Sequence, residues 1–254
     1  RCSSASSSSF SGRRWSAMIL SLFMLAGCST PTPVPTPEAA STPAPSSDSM
    51  PDKMSEQQLK DLVAKMDVQE KVGQLVIVSF ETTEVDTKTE AWLRTNKIGN
   101  VIVYAKNIEN AEQATSLTGQ LQKTIRNATQ IPAFIGIDQE GGMVNRVREG
   151  VTIFPSPMAI AAGRHENLYS LAWSIADALS GMGFNMNFAP VLDVNSNPDN
   201  PVIHLRAYGD DPQAAANFAS IWIKGLQEGG MVSVAKHFPG HGDTSEDSHF
   251  ALPK

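Results

Sequence analysis

Beyond position 28 the sequence has no cysteine, since its two, Cys2 and Cys28, both lie near the amino end. The long remainder therefore has no disulfide, no thiolate metal ligand and no cysteine nucleophile. A G-x-G-x-x-G after the first strand-like segment is also missing. Gly141-Gly142 come too late and without a following helix, so a dinucleotide loop is disfavoured. Basic residues are in deficit, 20 against 26 acidic ones. Three of the 20, Arg1, Arg13 and Arg14, precede position 28, and losing that segment moves the net charge from −6 to −9. Such a surface repels a phosphate backbone, and no nucleic acid partner is expected. Nor is there a long apolar run. Trp15 to Ala26 falls short of the roughly 20 residues a membrane-spanning helix needs.

That short run suits export instead. Arg13-Arg14 precede it and Leu25-Ala-Gly-Cys28 closes it, the layout of a secretory signal. The closing four residues resemble a bacterial lipobox. This implies that Cys28 is lipidated, tying the protein to a membrane of the bacterial cell envelope on its extracytoplasmic side. Arg1 stands where a start methionine would, so the natural start is expected elsewhere. Residues 29-51 hold seven of the 16 prolines among threonine, serine and alanine. They cannot build a core, and an extended spacer is predicted. The expected organisation is a signal over 1-28, a linker over 29-51 and a globular part over 52-254.

The globular part alternates between two periodicities. Ser55-Glu-Gln-Gln58 predicts a capping box opening a helix with Leu59, Leu62, Val63 and Met66 on one face. Leu75 to Val78, Asn100 to Tyr104, Ala133 to Ile137, Phe184 to Phe188 and Val232 to Ala235 read as buried strands. Helices are predicted from about Asn110 with Ala111, Ala114, Leu117, Leu121 and Ile125 inward, over Glu166 to Met182, and from Asp211-Pro212 to Leu226. Five β/α units in series make an α/β protein with a parallel sheet covered by helices. Periodicity leaves open whether that sheet is doubly wound or part of a barrel.

Chemistry concentrates in the last stretch. Lys236 and His237 stand where the fifth strand ends, and Pro239, Gly240 and Gly242 forbid regular structure beyond it. That loop carries His237, His241 and His249 with Asp243, Glu246 and Asp247. In Asp247-Ser-His249 the carboxylate can accept one ring N–H and fix the tautomer, leaving the other nitrogen to exchange protons near neutrality. Asp138, Asn187, Asp193 and Arg206 lie at or after other strand ends, which converge on one face of a barrel.

Ala235-Lys-His-Phe-Pro-Gly-His-Gly242, followed by Asp247-Ser-His249 and Leu252-Pro253, resembles the signature of glycoside hydrolase family 3, in its bacterial β-N-acetylglucosaminidase branch. Ile137-Asp-Gln-Glu-Gly-Gly-Met-Val-Asn-Arg146, Asn187-Phe-Ala-Pro-Val-Leu-Asp193 and Val202 to Pro212 match the same family in the same order. The resemblance runs from Ser55 to Lys254 and implies a TIM (β/α)8-type barrel, with about the first five β/α units present. It also implies a β-N-acetylglucosaminidase (β-N-acetylhexosaminidase) that retains configuration and needs no cofactor. Its substrate would be an N-acetylglucosamine-containing glycan derived from peptidoglycan or chitin. On that resemblance His249, oriented by Asp247, is the acid/base group, and Asp138, Arg146, Arg206, Lys236 and His237 hold the sugar. Arg146 has an alternative partner in Glu149. The family's nucleophilic aspartate matches no residue here and is expected beyond Lys254, which makes the chain a fragment. His204 departs from the pattern, standing where relatives usually have a small residue, often glycine.

Two other classes compete. A metal-dependent hydrolase would draw on His237, His241, His249 and Asp243, but Pro239 and Gly240 break the helix that the His-x3-His spacing would need. A tethered lipoprotein that binds sugar without cleaving it would not depend on His249.

Overall fold

A computed structural model describes residues 54-163 and 165-253. Cys28, the signal and the 29-51 spacer lie outside them. Ser55 opens α1 (Glu56–Lys65) with the predicted capping box: its hydroxyl accepts from Gln58 N at 3.2 Å and Gln58 Oε1 accepts from Ser55 N at 2.7 Å. The helix stops at Met66, and none of its residues is buried. The expected inward face is therefore open, with Leu59 and Val63 each about half exposed.

A second capping box, Asp67 with Glu70, starts α2 (Val68–Leu75). It corrects the first strand. Leu75 belongs to this helix and is 83% exposed, and β1 is only Ile77–Val78. The Asp-x-x-Glu pattern ahead of the apolar run is the local signal that favours helix there.

The chain then runs through α3 (Thr87–Thr95), β2 (Asn100–Val103), α4 (Ala111–Thr129) and β3 (Phe134–Ile137). A hairpin of β4 (Gln139–Gly141) and β5 (Val144–Asn145) follows, then α5 (Pro157–Ala162), α6 (Leu168–Gly181), β6 (Met186–Asn187), α7 (Pro212–Glu228) and β7 (Val232–Ser233). Asn110 caps α4, whose Ala114, Leu117, Leu121 and Ile125 are buried as the spacing predicts. Asp211 Oδ1 accepts from Ala214 N at 2.6 Å, and Pro212 fills the first helical position of α7. Helix α3 was not foreseen, because its nine residues bury only Leu93 and carry almost no periodic signal.

Strands β1, β2, β3, β6 and β7 form one parallel sheet in that order. The order follows the sequence without reversal, whereas a doubly wound sheet turns back at a switch point. This is barrel-type winding, five strands of it. Four strands lead into helices, and β7 leads into an irregular loop that takes in the remaining described residues. The apolar faces of α4, α6 and α7 close over the sheet, with Trp222, Phe184, Ile135 and Ile137 among the fully buried side chains.

Candidate active site

The site starts from how the ends of neighbouring strands are tied. Asn187 at the end of β6 is fully buried, and its amide bridges to Gln139, accepting from Gln139 N and donating to Gln139 O, each at 3.0 Å. The Gln139 side chain reaches the other way, accepting from Arg146 N at 2.8 Å and donating to Val147 O at 2.8 Å. The hairpin after β3 is thus fixed to the sheet by side-chain amides. Its turn needs Gly141 (φ +93°) and Gly142 (φ +59°), and a Cβ on Gly142 would meet Ser156 at 2.7 Å. Only glycine adopts such a backbone freely and lets the chain pass so close.

The fixed hairpin presents two carboxylates, Asp138 and Glu140, to three cations. Lys236 Nζ lies 2.7 Å from Asp138 Oδ1 and 2.6 Å from Glu140 Oε1. Arg206 meets Glu140 with two parallel bonds of 2.9 Å, the strongest geometry a guanidinium and a carboxylate can adopt. Burial works to lower the Arg206 pKa, but the Glu140 bond and the surrounding Glu140, Asp138 and Asp193 charges outweigh it, and the net shift is upward. Arg146 bonds Asp138 Oδ2 at 3.3 Å, and its guanidinium lies 5.9 Å from the centre of the Tyr104 ring.

Two Asp–His pairs complete the site, and they differ in exposure. Asp193, buried beyond β6, accepts His237 Nδ1 at 2.6 Å, and its carboxylate also takes the backbone N–H of His237 and of His241. Burial acts to raise the Asp193 pKa, and the hydrogen bonds from the His237 ring and the His241 and His237 amides overcome it, leaving it below the usual carboxylate range. An ionised carboxylate only accepts, so His237 carries its proton on Nδ1. Its Nε2 faces an Arg206 nitrogen at 3.4 Å. In the second pair Asp247 Oδ1 accepts both His249 N at 2.9 Å and His249 Nδ1 at 2.6 Å. Those two bonds, the backbone one first, depress the Asp247 pKa. The His249 ring again has Nδ1–H bound and Nε2 available. Both imidazoles line one cavity of about 300 Å³ with Asp138, Glu140, Arg146, Arg206 and Lys236, at the carboxyl ends of the strands.

Residues 67–254 match the family model described as the glycosyl hydrolase family 3 N-terminal domain. The chain belongs to glycoside hydrolase family 3. It is similar to the β-hexosaminidase A of Pseudoalteromonas piscicida, with 43% identity over 163 residues, 62% of this chain and 27% of that protein. A family 3 β-N-acetylglucosaminidase structure from Paenibacillus sp. FPU-7 superposes with a TM-score of 0.71 and 41% identity, covering 74% of this chain and 36% of that one. NagZ from Neisseria gonorrhoeae, solved with N-trifluoroacetyl-D-glucosamine, gives a TM-score of 0.64 at 31% identity, covering 70% and 53%. The chain spans about half the length, or less, of the relatives it matches. The partial barrel is the α/β barrel fold of the family.

Within this family 3 fold the seven residues singled out in the globular part come together in one place. Asp138, Arg146, Arg206, Lys236, His237 and His249 all line the cavity, and Asp247 holds His249 from the side. Arg146 pairs with Asp138 and not with Glu149. His204 has φ +41°, so the turn keeps a backbone that glycine favours although a histidine occupies it. Asp243 is exposed and outside the cavity lining. Both His241 ring nitrogens are engaged, with Thr244 Oγ1 at 2.6 Å and Ser248 Oγ at 2.9 Å. Among the described residues no group of three or more His, Cys, Asp or Glu is arranged to hold a metal ion.

Sequence reasoning passed over Glu140, which takes more charged contacts than any other residue of the site. Its signal was the two-residue spacing from Asp138, which puts both side chains on one face of an extended segment. The tie from Asp193 to two backbone amides and one imidazole had no sequence signal at all, since its partners lie 44 and 48 residues away.

Proposed function

We propose that this chain carries the sugar-holding residues and the proton-transferring group of a β-N-acetylglucosaminidase (β-N-acetylhexosaminidase). The substrate is a glycan ending in β-linked N-acetylglucosamine, of peptidoglycan or chitin origin. Asp138 accepts from sugar hydroxyls, while Arg146, Arg206, Lys236 and His237 supply the remaining polar contacts. Fixed donors and acceptors of this kind leave no hydroxyl unpaired when the ring is buried. The reading rests above all on one observation: His249 Nδ1 is held 2.6 Å from Asp247 and the ring borders a cavity lined by carboxylates and cations.

In the first step His249, protonated on Nε2, gives that proton to the glycosidic oxygen as the C1–O bond breaks. A carboxylate forms the new bond to C1. No aspartate of this sequence stands where the resemblance puts that nucleophile, so the step draws on a residue outside it. In the second step water attacks C1, loses its proton to Nε2 and releases the carboxylate. Two inversions at C1 retain the configuration. Cys28 serves as the lipid attachment that keeps the protein on a membrane of the cell envelope, with residues 29-51 as tether.

The test uses protein expressed from the complete reading frame and an aryl N-acetyl-β-glucosaminide. Acid/base help contributes about 10² to 10⁴ in rate, so His249→Ala lowers kcat by that order and leaves KM nearly unchanged. Equal rates for variant and wild type remove His249 from the mechanism. Sugar binding by the wild type without any release of aryl product establishes the non-catalytic lipoprotein instead.

A further inference from the structure

We propose that His241 is a positioning residue, holding the Asp247–His249 pair over the cavity through the hydroxyl of Ser248. The inference deepens the function proposed above and rests on His249 being its acid/base group.

Little else holds the pair. His249 is 73% exposed on its side chain, and its hydrogen bonds are to Asp247, two residues away on the same loop. Among the described residues Asp247 likewise bonds only within its own turn, accepting from His249 and, at its carbonyl, from Phe250 N and Ala251 N. Apart from Ser248, nothing among the described residues ties that turn to the cavity floor.

The floor end, in contrast, is rigid. Asp193 accepts His241 N at 2.6 Å. Asn200, itself 2% exposed, donates to His241 O at 2.7 Å and to Thr244 O at 3.0 Å. Gly242 passes so close to Val194 that any Cβ would overlap the Val194 carbonyl. The backbone at 241-244 is therefore pinned to the loop after β6, and the backbone at 247-251 is not.

One side chain spans the gap. The Thr244 hydroxyl gives its hydrogen to His241 O at 3.0 Å, so its oxygen is left to accept His241 Nδ1–H at 2.6 Å. That fixes the His241 tautomer and leaves a lone pair on Nε2. Ser248 Oγ, 2.9 Å away, donates to it. Ser248 stands between Asp247 and His249 in the sequence, so the bond grips the pair at its midpoint. The His241 ring also meets the His237 ring edge-on at 6.4 Å between centres, which aligns the strap with the floor. A reacting group displaced by about 1 Å can lose about 10²-fold in rate, so a single bond at this place, on the cavity's rim, matters to proton transfer.

The experiment compares two aglycones on protein from the complete reading frame. A dinitrophenyl glycoside leaves with little help from an acid, whereas a methyl glycoside depends on it. Ser248→Ala lowers kcat/KM on the methyl glycoside about 10-fold or more and changes kcat/KM on the dinitrophenyl glycoside less than about 3-fold, since kcat/KM reads the first step alone, before His249 acts as base on water. Ser248→Thr, which keeps the hydroxyl, restores the methyl rate. His241→Phe gives the same split as Ser248→Ala, and the double variant is no worse than either single one, because both remove one bond. Ser248→Ala and His241→Phe that match wild type on both aglycones overturn the inference while leaving the glycosidase reading intact. So does an equal loss on both aglycones with a raised KM, which marks a general collapse of the site. A wild type that cleaves neither glycoside sinks the glycosidase reading itself, and this inference with it.

Discussion

Glu140 offers the sharpest stability test, because its side chain is 1% exposed and takes three charge-assisted contacts of 2.6 to 2.9 Å. Glu140→Ala removes all three. Lys236 keeps Asp138 at 2.7 Å, but Arg206 keeps only the Val202 carbonyl at 3.2 Å and the neighbouring His237 nitrogen. One guanidinium, 13% exposed, is then left without its counter-charge. Breaking a buried pair from one side costs about 3 to 5 kcal/mol, and the partner left to Lys236 puts this case at about 3. Glu140→Gln keeps the shape and one acceptor oxygen, so its loss is about 2 kcal/mol. Urea unfolding of the purified protein reads both values, and about 3 kcal/mol corresponds to a melting shift of roughly 6 to 12 °C in a domain of this size. Glu81→Ala is the control. Its pair with Lys106 is 2.6 Å long but exposed, so its removal changes stability by less than about 1 kcal/mol. A Glu140→Ala loss under about 1 kcal/mol, or one no larger than that of Glu81→Ala, refutes the account of the cavity floor as a buried charge network.

Two further predictions concern acid and anchorage. Asp193 has a depressed pKa in the folded state, so the unfolded chain takes up its proton first as pH falls. Its stabilisation is complete above the ordinary aspartate value of about 3.9 and drains away as pH drops through the lower folded value. Unfolding midpoints measured from pH 5 downward should therefore fall less steeply in Asp193→Asn than in wild type, and parallel curves would remove the carboxylate from the acid response. At the amino end, Cys28→Ala should abolish incorporation of a labelled fatty acid in a bacterial host and move the protein out of the membrane fraction. Labelling that persists in the variant, or is absent from wild type, ends the lipid-anchor reading.

The sequence carried the architecture where local chemistry and burial agree. Asn110 and Asp211 cap helices whose apolar spacing faces inward, and both helices appear as read. It misled at Leu75, where an apolar run looks like a strand but an Asp67–Glu70 capping box ahead of it carries the helix to that point. Periodicity did not choose between a doubly wound sheet and a barrel. That choice lies in strand order, which is a matter of long-range pairing. Within the site, Asp247 and His249 were legible because they bond across two residues. Glu140 was not, because its value comes from Arg206 and Lys236, 66 and 96 positions farther along. His241 looked like one more histidine in a crowded loop until Thr244 and Ser248 were seen on its two nitrogens.

The two Asp–His pairs differ in their access to bulk water, and that difference bears on where the water of the proposed second step comes from. His237 is held by a fully buried Asp193 and lies beside Arg206, with about a third of its side chain exposed. It is suited to being a fixed dipole. His249 is 73% open; in the proposed mechanism the attacking water returns the Nε2 proton, and at that exposure the water reaches the ring straight from bulk. Placed on the outer loop, the proposed acid/base group takes its second-step water from the surrounding solution, so an alcohol dissolved there that enters the cavity competes with water for the glycosyl group.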